Sequence, residues 1–140
     1  MKIKTLLSLL ILVLFMTACK TDTPSAMIPS PEPDLATIHG RVLSKEGSPL
    51  KNTSVRLADV YRGEDNDGAF ALDEAFSPSA LSDENGNYIF NNINPGEYVL
   101  FFGSINSNYM IVANEDGSAI VYKVSANEVL EIEPISVDFQ

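Results

Sequence analysis

Beyond residue 35, the apolar side chains of this sequence come in short alternating runs, and no stretch sustains the three-and-four spacing of an amphipathic helix. Ile38, Gly40 and Val42 alternate with His39 and Arg41, and Val55 and Leu57 with Arg56 and Ala58. Further runs cover 88–90, 97–102, 109–113, 119–124 and 129–139. Turn signals punctuate them: Glu46-Gly47-Ser48-Pro49, Asn85-Gly86, Asn94-Pro95-Gly96 and Asp116-Gly117, where Gly or Asn takes positive φ at low cost. Short strands at this spacing predict an all-β fold, a single seven-stranded antiparallel Greek-key β-sandwich. Pro134 interrupts the last run, so a bulge or an edge position is expected there.

The N-terminus has a different grammar. Lys2 and Lys4 precede an apolar run from Leu6 to Met16, and then comes Thr17-Ala18-Cys19. The run fits the roughly 7 to 15 residues of a signal h-region and falls short of the roughly 20 that a membrane-spanning helix requires. Cys19 is the chain's only cysteine, so it has no disulfide partner within the chain. Met16-Thr17-Ala18-Cys19 resembles the lipobox of bacterial lipoproteins, whose cysteine receives a diacylglyceryl group and becomes the new N-terminus after cleavage. That resemblance implies a signal peptide at 1–18, a palmitate-type lipid anchor on Cys19, and an extracytoplasmic position on a bacterial cell membrane or outer membrane.

Residues 19–34 read as a linker: four of the eight prolines lie between Lys20 and Asp34, with Met27 and Ile28 the only large apolar side chains. In polyproline II, at about 3.1 Å per residue, such a segment spans about 45 Å or less. Residues 35–140 are enough for one domain with a modest core. Formal charge is −10, and −12 once Lys2 and Lys4 leave with the signal. A field of that sign repels phosphate backbones, which argues against nucleic acid as a partner.

Several segments resemble the carboxypeptidase regulatory-like family, β-sandwiches of transthyretin-like (prealbumin-like) topology. They are Gly40-Arg41-Val42, Gly47-Ser48-Pro49-Leu50, Val55-Arg56-Leu57, Ser82-Asp83-Glu84-Asn85-Gly86-Asn87-Tyr88-Ile89-Phe90, Asn92-Ile93 and Pro95-Gly96-Glu97-Tyr98-Val99-Leu100. Asn52-Thr53 stands where the family usually has Gly-Ala, and the stretch from Tyr61 to Leu81 is long for a connection in so small a domain. The resemblance implies an accessory or interaction module. A fold of this kind does not specify a function.

Catalytic chemistry finds little to work with. A nucleophile needs a base beside it, and the chain has one histidine, His39, in mid-strand on the side away from the expected core. Zinc sites draw on several Cys or His ligands. Transthyretin-like hydroxyisourate hydrolases end in Tyr-Arg-Gly-Ser, whereas Tyr61-Arg62-Gly63 is internal here. Isopeptide-stapled adhesin domains carry an acid after the Gly-x-Tyr strand, where this chain has Phe101-Phe102-Gly103, so no internal covalent link is expected. The expectation is a protein that is not an enzyme: a lipid-anchored module of the cell envelope presenting a protein or polysaccharide contact surface.

Two candidate sites remain. The oxygen-rich turns Glu64-Asp65-Asn66-Asp67-Gly68 and Asp83-Glu84-Asn85-Gly86-Asn87 suit a hard cation, which makes Asp65, Asp67 and Asp83 candidate calcium ligands in an alternative, calcium-dependent reading, although neither matches the full twelve-residue calcium loop. Plain Asx turns on a solvated acidic face are the competing account. Phe70, Leu72 and Phe76 mark the long connection as a contact loop, or else pin it to the sandwich.

Overall fold

The computed structural model describes residues 27–64 and 68–139. Its strands are β1 (Ala36–Ser44), β2 (Ser54–Arg62), β3 (Gly68–Ala71), β4 (Ser79–Leu81), β5 (Asn87–Ile93), β6 (Gly96–Gly103), β7 (Tyr109–Ile111), β8 (Val121–Val124), β9 (Val129–Glu131) and β10 (Ile135–Val137). They form two sheets and no helix among the described residues. In the four-stranded sheet, β1 is central, with β5 antiparallel on one edge and β9 and β10 in succession on the other. In the six-stranded sheet, β2 pairs β6, β3 and β4 share the outer edge of β2, and β7 and β8 share that of β6.

The described strands number ten, not seven. The stretch 61–81 contributes two of the extra ones, because β3 folds back on the end of β2 with Arg62 opposite Gly68, and β4 covers its beginning with Ser54 opposite Leu81. The third comes from Pro134, which separates β9 from β10. The antiparallel expectation also needs correcting. β9 and β10 run parallel to β1, with Ile38 opposite Leu130 and Val42 opposite Ile135. They arrive from β8 in the other sheet rather than through a hairpin on β1, and a crossing of that kind permits a parallel pair.

Alternation places the core as read from the sequence. Ala36, Ile38 and Val42 of β1, with Tyr88 and Phe90 of β5, face Val55 and Leu57 of β2 and Tyr98, Leu100 and Phe102 of β6, all buried. Each fully buried aliphatic or aromatic side chain contributes about 1.5–3 kcal/mol. Tyr88 joins the layers: its ring meets Phe102 of the opposite sheet edge-on at 5.8 Å and Phe90 of its own strand at 6.0 Å. Its partner across the ladder is Gly40. A Cβ there would stand 2.5 Å from the phenol oxygen, so the ring occupies room that only glycine leaves.

That phenol is buried and without a hydrogen-bond partner. Burial, with Tyr122 nearby, pushes its pKa well above the ordinary tyrosine value. An unpaired buried hydroxyl carries its desolvation cost uncompensated. Tyr88→Phe should therefore leave stability unchanged or raise it by about 1 kcal/mol, read as a rise of several degrees in Tm by calorimetry. Gly86→Ala should do the opposite, because Gly86 has φ +80° and a Cβ there would lie 2.3 Å from the Val42 carbonyl oxygen.

Candidate contact surfaces

Cys19, Asp65 and Asp67 lie outside the described residues. Asp83 lies within them and is engaged by its own turn. One carboxylate oxygen accepts the backbone N–H groups of Asn85 (2.8 Å) and Asn87 (2.9 Å), and the other accepts Asn87 Nδ2 at 3.0 Å. The Asp83 N–H donates to the Asn87 carbonyl at 2.9 Å, closing the loop in which Gly86 sits. Slight burial raises the Asp83 pKa, but the hydrogen bonds from Asn87 and Asn85, with Arg41 nearby, outweigh it and hold the carboxyl below its ordinary value. This is an Asx turn doing structural work. Asp116 forms a smaller version, accepting Ser118 N–H and hydroxyl, and these bonds lower its pKa. Among the described residues no three of His, Cys, Asp and Glu are grouped to hold a metal ion.

The three candidates on the long connection separate. Phe70 of β3 lies on the outer face of the six-stranded sheet. It reaches over the small, buried Ala58 to meet Phe101 of β6 edge-on at 5.9 Å, and Phe101 stacks on Tyr109 of β7 at 5.7 Å. Leu72 packs into the same group with Val60, Val99, Ile111 and Ala119. The side of this sheet that should meet water is thus apolar as well, and Phe70, Tyr109 and Val121 remain 41%, 52% and 39% exposed. Arg62 and Glu97 join across this face at 2.7 Å.

Phe76 points elsewhere, and it is 87% exposed. It stands on a tightly tied loop: Asp73 Oδ1 accepts the N–H groups of Ala75 and Phe76, and Ser77, nearly buried, donates its N–H to the Asp73 carbonyl while its hydroxyl accepts the Asp73 N–H. Arg56 holds the Glu74 carbonyl and Asn106 its carboxylate. Phe76 forms one lip of a cleft of about 440 Å³ whose other walls include Asp59, Ser79, Asn91, Asn92 and Asn94. The sequence pattern does not join the two walls of this cleft, because they come from β5 and from the β3–β4 connection; its one local signal is the asparagine-rich Asn91-Asn92-Ile93-Asn94.

His39 lies opposite Ile89 and Glu131 in its sheet, and no Ser or Thr hydroxyl bonds it among the described residues. No helix of the described residues is long and apolar enough to cross a membrane.

No protein-family model matches the sequence, and no curated protein matches it closely enough to count as a relative. Among solved structures, the chain is similar to the major pilin subunit of Bacillus cereus, with 22% identity and a TM-score of 0.48 over 74% of this chain and 30% of that one. A candidate carbohydrate-binding protein of Pseudomonas aeruginosa gives 19% identity and a TM-score of 0.45, covering 76% of this chain and 92% of that one. A second candidate carbohydrate-binding protein, from Bacteroides uniformis, gives 15% and 0.43 over 73% and 40%. The chain thus spans under a third of the length of the pilin subunit it resembles.

The Asx turn predicts a pH signature. With its folded pKa depressed, Asp83 contributes stability that is fully present above its unfolded value of about 4 and is lost as pH falls through the lower folded value. Asp83→Ala should lower stability by roughly 1 kcal/mol at neutral pH. The difference from wild type should begin to shrink in chemical melts below about pH 4 and be lost once the pH is below the depressed folded value, where the carboxyl is protonated in both states.

Proposed function

We propose that the protein is a non-catalytic module of the bacterial cell envelope, a carboxypeptidase regulatory-like β-sandwich held to a membrane by lipid on Cys19 and presenting a contact surface to a protein or polysaccharide partner. The observation that carries the interaction reading is the outer face of the six-stranded sheet. Phe70, Phe101 and Tyr109 form a row of rings there, rimmed by the Arg62–Glu97 pair. Aromatic residues and arginine concentrate where proteins meet, while an antiparallel sheet with no partner keeps its outer face polar. Phe70 and Tyr109 pack on Phe101 yet keep 41% and 52% of their surface in water. The anchor reading is supported by Lys2 and Lys4, the apolar run, and a single cysteine directly after Thr17-Ala18.

Two measurements separate these parts. Radiolabelled palmitate should be incorporated by the wild-type chain and not by Cys19→Ser; labelling that survives the substitution rejects the anchor. A photo-crosslinking residue at Tyr109 or Phe70 should capture a discrete envelope partner on intact cells, and the same residue at exposed Glu84 should not. Equal capture from both sites would reject the outer face as the contact surface.

A further inference from the structure

The cleft under Phe76 lies apart from the aromatic outer face, and its chemistry points to a different kind of ligand. A loop secured by hydrogen bonds at Asp73, Glu74 and Ser77 keeps its largest apolar side chain in water. Burial of Phe76 is not what this order serves, and a loop backbone already ordered at the lip of a cleft costs little further entropy when a ligand lies on its ring. The opposite wall is equally fixed. Asn91 Oδ1 accepts the Thr37 hydroxyl at 2.7 Å, leaving its two amide N–H groups unengaged among the described residues. Asn92, in the left-handed region at φ 56°, is held by Glu32 through two reciprocal bonds of 2.8 and 3.0 Å. The Asn94 carbonyl accepts the Tyr98 hydroxyl at 2.7 Å, while the Asn94 side chain makes no hydrogen bond within the described residues.

The lining therefore offers the exposed ring of Phe76 above a floor that includes the buried Phe90 and Tyr98, amide donors and acceptors on Asn91 and Asn94, the Ser79 hydroxyl and the Asp59 carboxylate, with no lysine or arginine. A volume of about 440 Å³ is in the range of small-ligand sites, roughly 300–1,000 Å³. We infer that this cleft binds a neutral saccharide, whose ring C–H groups lie on Phe76 while its hydroxyls pair with Asn91, Asn94, Ser79 and Asp59. The absence of a cation together with Asp59 disfavours uronate or phosphate-bearing sugars. An extended peptide adding to the open edge of β5 fits less well. The ladder shifts register between Ala36 and Ile38, Asn92 takes positive φ, and Asn94-Pro95 follows directly, so only a few residues of edge are available.

The test uses the full-length protein in a zwitterionic detergent free of sugar, titrated calorimetrically with neutral cello-, xylo-, malto- and chito-oligosaccharides, with oligogalacturonate, and with a pool of extended peptides. At least one neutral oligosaccharide should bind. Phe76→Ala and Asn91→Ala should each weaken that binding about tenfold or more, about 1.4 kcal/mol. Phe70→Ala, on the outer face, should leave it unchanged. Because Phe76 is exposed, its truncation should leave the Tm unaltered, so weakened binding reads the site and not the fold. The inference is overturned if no neutral oligosaccharide binds, if binding persists in Phe76→Ala, or if oligogalacturonate or the peptides bind in preference. Such a result would leave the outer-face reading standing, since the two surfaces share no side chain.

Discussion

The sandwich depends on one ring in one gap. Tyr88 stands where Gly40 has no side chain, and from there it reaches Phe102 in the facing sheet. Pairing an aromatic residue with glycine across an antiparallel ladder fills the space glycine leaves, and the edge-on contacts add about 0.5–1.5 kcal/mol each beyond burial. The register that brings Gly40 opposite Tyr88 also brings Ile38 opposite Phe90, so one ladder sets which residues of β1 and β5 face inward. Upstream of Tyr88, the turn closed by Asp83 and Gly86 fixes where β5 begins. The phenol oxygen contributes nothing visible to this clasp, which the ring makes unaided.

The second constraint is that the two sheets are not alike. The four-stranded sheet, antiparallel at β5 and parallel at β9 and β10, turns His39, Asn87 and Glu131 outward. The six-stranded sheet is apolar on both sides, and its outer cluster is closed only in part, by Phe70 leaning from β3 across Ala58. The stretch 61–81 thus has two physical roles. Its first half supplies the cover for Ala58 and Phe101, and its second half, tied at Asp73 and Ser77, supplies the lip of the cleft.

How far the sequence carries these features follows from how local they are. Alternation located β1, β2, β5, β6, β7 and β8 and the inward sides of the four longest, because a period of two is written within each run. Pro134 correctly marked a break, but which edge of β1 the two halves join, and their parallel sense, depend on a crossing between sheets that no local pattern encodes. β3 and β4 went unread for a related reason. Gly68-Ala69-Phe70-Ala71 is too short and too small to signal a strand without β2 beside it. The oxygens that make Asp83 a candidate ligand in the sequence serve, in the fold, the backbone N–H groups two and four residues on. Phe70, Leu72 and Phe76 are neighbours in sequence, but strand pairing sends the first two to one face and Phe76 to another.

The same distinction revises the tether. Read as extended polyproline II, 20–34 spans about 45 Å or less. Yet its C-terminal part belongs to the domain: Glu32 is bonded to Asn92, the Asp34 N–H donates to Asn127 Oδ1 at 3.1 Å, and Leu35 and Asn127 pair through their backbones. In the proposed anchored protein the tether therefore joins the domain at Glu32, ahead of β1. Asn92 is both the docking point of the tether and a wall of the cleft, so the root of the tether and the cleft share one end of the sandwich. The aromatic outer face runs along its side. A ligand in the cleft would lie close to the point where the tether meets the domain. Replacing Asn92 would remove the Glu32 contact and loosen the cleft wall together, while Asp34 and Leu35 would still be held at Asn127.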